Sequence, residues 1–247
     1  MHHHEHFEIW LARVFNDHLP GLGNFILNLL GLPAEPRPWA NFMVMEILVA
    51  LILILLFAFL RPRLSMDRPG KVQQFFEVVY DFIGGEAKDS VGHGSAKYVP
   101  FFGALFVFIL CSNLIGIVPG LESPTMAPPV TAGCAIAVFC YYNIVGVREQ
   151  GILHYLRHFA GPIWPLAPLI LPIELISHMA RPLSLSVRLY ANMYAGEQVT
   201  LVFITLTYFA APALFMGLHV FVSLLQAYIF VLLTMMYVAG AVAQEEH

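Results

Sequence analysis

Between Tyr98 and Val118 the chain runs 21 residues without one charged side chain, and Pro128–Gly146 repeats the pattern over 19. A helix needs about 20 apolar residues to cross a hydrocarbon core about 30 Å thick. No water inside that core can satisfy a bare peptide group, so such runs fold as spanning helices. Asn41–Leu60 is a third run, with Glu46 as its only charge. Composition agrees, since 59% of the 247 residues are hydrophobic and 11% charged, against roughly 25% charged in a soluble domain. The expected fold class is an all-α polytopic membrane protein.

Residues 7–32 hold short apolar patches broken by Pro20, Gly21 and Gly23, a pattern of interfacial helix and loop. The tract PAEPRPWA at 33–40 then divides an extracytoplasmic N-terminal segment, 1–40, from a membrane domain, 41–247. After the first span, at 41–60, residues 71–87 alternate apolar and charged positions at helical spacing and read as an amphipathic surface helix. Spans over 98–118 and 128–146 follow. The proline-rich stretch 162–172 delays the next helix to about Pro172, from which 172–208 and 212–243 form a hairpin turning around Phe209–Pro212. At about 55 Å and 48 Å these two helices exceed a perpendicular crossing, so the hairpin is expected to tilt or project. Six Lys and Arg lie in 61–97, two in 147–160 and none in 119–124 or 209–212. About five spans with the N-terminus outside and the C-terminus cytoplasmic satisfy that distribution.

Net charge is −4 with twelve dispersed Lys and Arg, which excludes a nucleic-acid surface. Cys111, Cys134 and Cys140 sit in apolar runs without metal-ligand spacing and read as small buried hydrophobes. The His-rich start, MHHHEH, reads as terminal composition, native or appended, rather than as a metal site. No metal and no cofactor are expected.

Ionisable groups concentrate in the last hairpin: Glu174, His178, Arg181, Arg188, Glu197 and His219, with the amide of Gln226. A charge at a helix centre costs about 2.5–3.5 kcal/mol, so such groups face a partner, water or a transport path. Interhelical pairing explains any one of them, less readily all seven. At about 100° per residue, Ser177, Arg181, Ser184, Arg188, Asn192 and Ala195 share one stripe. Glu197 lies about 180° round the helix from Arg188 and about 13.5 Å further along it. Pairing Glu197 with His219 and Arg188 with Gln226 centres a turn near 207–208, so the first pair is expected in the outer half of the membrane and the second near its middle. Glu and His exchange protons at accessible pH, whereas Arg stays cationic. Arg188 would thus block leakage while attracting a carboxylate. Glu174, Ser177, His178 and Arg181 would line a second path toward the cytoplasm, unless they simply snorkel.

SLSVRLYANMYAGE at 184–197, LLQAYIF at 224–230 and ELISHMARPLSL at 174–185 closely resemble subunit a of F-type ATP synthases of bacterial type, and KYVPFFGALFVFILCSNLIGIVPG at 97–120 does so more loosely. The resemblance implies a stator subunit that conducts protons through two half-channels to and from carboxylates on a ring of c subunits, driving rotation and ATP synthesis elsewhere in the complex. It implies no catalysis by the chain itself. Arg188 would face the ring, Glu197 and His219 would feed the outer half-channel, and Asn192 and Gln226 would give polar support beside the arginine. Implied partners are the c-ring, the subunit b peripheral stalk, the remainder of the synthase and membrane lipids, in a bacterial inner membrane. Sodium is the alternative coupling ion. A stand-alone ion-coupled secondary transporter would also carry mid-membrane charges, but no inverted repeat is evident. A passive scaffold would use the same residues only to hold helices together.

Overall fold

A computed structural model describes residues 9–29, 31, 33–65, 69–92, 94–118, 120–151, 167–206 and 210–242. The His-rich start, Arg157, residues 162–166 of the proline-rich 162–172 tract and the centre of the last turn lie outside the described residues. Within them the chain is helical and contains no strand, an all-α polytopic membrane protein. Its principal helices are α1 (Trp10–His18), α2 (Pro20–Leu29), α3 (Asn41–Leu60), α4 (Lys71–Val91), α5 (Val99–Leu114), α6 (Pro128–Gln150), α7 (Ala167–Leu206) and α8 (Ala210–Val242).

Four of these, α3, α5, α6 and α8, are long and apolar enough to cross a membrane. The fifth expected span, α7, is 40 residues long but is not among them; Glu174, Arg181, Arg188 and Glu197 are spread along it and lower its hydropathy. It begins at Ala167 rather than near Pro172, and both Pro172 and Pro182 lie inside it. Proline lacks an N–H, so Pro182 leaves the His178 carbonyl without its usual intrahelical donor. Packing against α6 and α8 holds the helix across that gap. The helix α4 likewise continues one turn past the expected Ala87 and stops where Gly92 takes a positive φ of 84°.

The exterior of the bundle is what a bilayer requires and water would not tolerate. On α3 only Val44, Met45 and Val49 are buried, whereas Leu51, Ile52, Ile54, Leu55, Phe57 and Phe59 are exposed. In a soluble protein so large an apolar patch would mark aggregation or a docking face. The interior is one core in which Phe102 and Ile109 of α5, Tyr142 of α6, Leu185, Leu189 and Met193 of α7, and Phe230 and Met235 of α8 interdigitate. On α7 these residues recur at i, i+4 and i+8, which sets the buried seam of that helix. At the ends of α5 and α6, Glu149 accepts hydrogen bonds from Lys97 and, at 3.4 Å, from the Tyr98 hydroxyl. The bond to Glu149 holds the exposed Lys97 ammonium above its ordinary pKa.

The segment before α3 is two short helices rather than a helix and loop, clasped over the start of α3 by a second small core of Ile9, Ala12, Trp39, Val44 and Met45. Buried Asn16 closes the clasp in both directions. Its Oδ1 accepts from the Trp39 amide at 2.9 Å and its Nδ2 donates to the Trp39 carbonyl at 3.1 Å. The Trp39 indole donates to the Leu19 carbonyl at 2.8 Å. Replacing Asn16 by Leu orphans two backbone groups, each worth about 1–3 kcal/mol. Limited proteolysis of Asn16→Leu is expected to cut within 10–40 far faster than in the parent, with the spans still protected.

Candidate functional site

The site is built on the antiparallel seam of α7 and α8. Asn192 Nδ2 donates to Gln226 Oε1 at 2.6 Å. One turn along, Ser223 Oγ donates to the Met193 sulfur at 3.9 Å. Beyond it a β-carbon placed on Gly196 would stand 3.0 Å from His219 Nδ1. Gly196 is therefore the notch that admits the histidine. Farther out, Phe203 and Phe215 stack with ring centroids 4.0 Å apart. These pairs centre the hairpin near 207–209, close to the register expected from the sequence.

Along α8, His219, Ser223 and Gln226 follow at i, i+4 and i+7, one face of the helix. All three are buried. They form a polar ladder about 10.5 Å tall inside an apolar core. Among the described residues the Nε2 of Gln226 has no hydrogen-bond partner, which is costly in a dry interior and leaves a donor for water or a partner. Asn113 of α5 braces the ladder from the side. Its Nδ2 donates to the Ser223 carbonyl at 3.4 Å and its own carbonyl lies beside the His219 ring. Its Oδ1 accepts from Thr125 Oγ1 at 2.7 Å, and Thr125 is in hydrogen-bond contact with Ser123 at 2.7 Å.

Arg188 and Glu197 occupy opposite flanks of the buried α7 seam. Arg188 is exposed, as are Ser177, Ser184, Asn192 and Ala195 of its stripe. Leu183 and Val187 of the same helix are exposed as well. Among the described residues no carboxylate pairs with its guanidinium. Glu197 instead lines a cavity of about 920 Å³ on the other flank, with Tyr190 and Tyr194 of α7, Glu122, and Asn41 at the start of α3. Asn41 Nδ2 donates to Glu122 Oε2 at 3.3 Å. Ser123 lies in the same wall, so a hydrogen-bonded chain of Ser123, Thr125 and Asn113 leads from the cavity to the ladder.

Two expected contacts are not formed. Glu197 and His219 are brought to one level but make no direct hydrogen bond or ion pair, because the histidine is seated over Gly196 while Glu197 turns to the cavity. Gln226 bonds Asn192 rather than Arg188. On the other side of the bundle, buried His178 lies 3.0 Å from Asn143 Oδ1 and 3.4 Å from the Tyr142 hydroxyl. Arg181 leaves the Arg188 stripe, approaching Glu174 at 3.9 Å and the Tyr237 ring at 5.6 Å. Ser177 is exposed and apart from that group.

Glu122, Asn41, Asn113 and Ser223 were not singled out from the sequence. The polar pair Ser112-Asn113 inside a charge-free span and a serine four residues after His219 were the available signals. No group of three metal-ligating side chains occurs among the described residues.

Gly196→Leu drives a side chain into the His219 ring. Overpacking of this kind costs about 1–3 kcal/mol. A lowered Tm of the purified protein is the expected result, whereas Gly103→Leu, where a β-carbon meets nothing within 4 Å, is expected to leave it nearly unchanged.

Residues 43–239 match the model of the ATP synthase A chain family. ATP synthase subunit a of Solibacter usitatus is 64% identical over 232 residues, covering 94% of this chain and all of that protein. ATP synthase subunit a of Koribacter versatilis is 44% identical over 238 residues, 96% of this chain and 97% of that one. That of Sulfurihydrogenibium sp. is 39% identical over 204 residues, 83% and 98% respectively. Matched by that family model over most of its length and by these relatives over nearly all of it, the chain belongs to the ATP synthase A chain family.

Proposed function

We propose that the chain is the stator subunit of a proton-driven rotary ATP synthase, carrying protons to and from carboxylates on a moving c-ring without itself making or hydrolysing ATP. The observation that carries this reading is Arg188: exposed and, among the described residues, unpaired, on a helix of a membrane protein whose Leu183 and Val187 are exposed as well. Left against lipid, such a charge costs about 2.5–3.5 kcal/mol even on the mildest scale. A passing carboxylate neutralises it, and the guanidinium, which never gives up its own proton, expels the proton that the carboxylate held.

The cavity holding Glu122 and Glu197 serves as the outer half-channel. Water there exchanges protons with Glu197, and His219, Ser223, Gln226 and Asn192 extend a polar route toward the ring-facing stripe. His178 with Tyr142 and Asn143, and Glu174 with Arg181, make the cytoplasmic half. Because Arg188 stands between the two routes, a proton crosses only by riding the ring. In this reading the membrane is the bacterial inner membrane, with the N-terminus outside and the C-terminus cytoplasmic. The c-ring, the subunit b peripheral stalk and the rest of the synthase are the partners.

The test is ATP-driven acidification of sealed vesicles holding the purified complex. Arg188→Ala is expected to abolish pumping while the complex assembles, and wild-type-like pumping by that variant overturns the reading. Glu197→Gln is expected to slow pumping by about a hundredfold, the low end for loss of one proton-transfer group, without abolishing it. Glu122→Gln is expected to have the smaller effect of the two, since that carboxylate stands at the cavity wall and solvent can bypass it.

A further inference from the structure

The end of α3 remote from the outer cavity, about 30 Å away along the helix, meets the first half of α4 in a groove of about 630 Å³. Its wall is apolar, formed by Phe57, Leu60, Leu64 and Phe76, while Arg61, Glu77 and Asp81 stand in its polar part. Glu77 and Asp81 are four residues apart on α4 and share a face. Gln73, itself buried, fixes the groove's shape. It accepts from the Ser65 amide at 3.1 Å and donates to the Ser65 carbonyl at 3.0 Å and to Glu77 Oε1 at 2.7 Å. The connection between α3 and α4 is thereby pinned against α4. Arg63 is engaged elsewhere, its guanidinium 4.0 Å over the Phe59 ring. Among the described residues neither Arg61 nor Asp81 forms an ion pair.

We propose that this groove binds one phospholipid whose headgroup carries both a phosphate and a primary ammonium, the chemistry of phosphatidylethanolamine. The argument is charge complementarity at a defined depth. The groove opens where an apolar span ends in arginines, the level of lipid headgroups. One acyl chain lies along Phe57, Leu60 and Phe76. Arg61 takes the phosphate, for which a guanidinium has the matching donor fork. The ammonium, with three donors, sits between Glu77 and Asp81 in charge-assisted hydrogen bonds. An anionic lipid lacking the ammonium, such as phosphatidylglycerol, meets the same arginine but sets its phosphate beside two uncompensated carboxylates. The site thus selects by the cation, the reverse of the usual basic lipid site. It depends only on the membrane placement of α3 and α4, not on the proton pathway.

The test uses the intact complex reconstituted in vesicles containing a photoactivatable phosphatidylethanolamine, with unlabelled phosphatidylethanolamine or phosphatidylglycerol as competitor. Labelling is expected within residues 57–64 and 73–81, with phosphatidylethanolamine competing about tenfold better, a difference of about 1.4 kcal/mol. Glu77→Gln with Asp81→Asn is expected to erase that preference while ATP-driven pumping persists. Equal competition by the two lipids overturns the proposal, as does a preference unchanged in the double variant. Absence of lipid labelling, with a photoreactive residue at Phe76 crosslinking a second polypeptide instead, assigns the groove to a protein partner and also overturns it. If the double variant fails to assemble, the wild-type competition decides alone.

Discussion

The seam between α7 and α8 is the contact on which the rest of the structure depends. A helix bearing two arginines and two glutamates has no affinity for lipid of its own and stays in the bundle because its neighbours bury Leu185, Leu189 and Met193. Fixing that apolar strip fixes everything around it. Arg188 is turned outward on one flank, Glu197 toward a cavity on the other, and Gly196 inward against His219. Rotating α7 by one residue, about 100°, would bury a charge and dissolve this arrangement at once.

Polarity inside the seam is retained at a cost. Among the described residues Gln226 keeps an unpartnered buried Nε2 and Ser112 an unpartnered buried hydroxyl, where apolar replacements would pack without penalty. A chain selected only for stability would have little use for them. Under the proposed function they make sense as places where water and protons pass, and the walls around them are stiff because packed interiors resist deformation. The N-terminal helices belong to the same logic. Through Asn16, Trp39 and Asn41 they close one side of the cavity and hold Glu122 at its wall.

Much of the architecture was legible because a bilayer leaves few options. Charge-free runs of the right length become helices, so α3, α5 and α6 began within about one residue of their expected starts. The start of α7 was not legible. Proline-rich sequence argues against a helix, yet Pro172 and Pro182 are carried inside one because neighbouring helices sustain it. In the site, the facing of Arg188 followed from the 3.6-residue period, and the hairpin register from matching polar positions. The contact partners did not, since a histidine seated over Gly196 and an amide bonded to Asn192 rather than to Arg188 depend on side-chain direction in three dimensions.

The sequence by itself determined that this is a helical membrane protein, which residues of its last hairpin are too polar to rest in lipid, and which of them share a helix face. Those properties follow from length, hydropathy and helical period, all local along the chain. Only the tertiary structure decided that Glu122, Asn41 and Glu197 share a cavity, that Asn113 braces the ladder of His219, Ser223 and Gln226, and that Arg181 leaves the stripe of Arg188 for Glu174 and Tyr237. Apart from Glu174 and Arg181, two turns apart on one helix, these are meetings of residues far apart in the chain. Their cause is the shape of the packed core, to which no single segment holds the key.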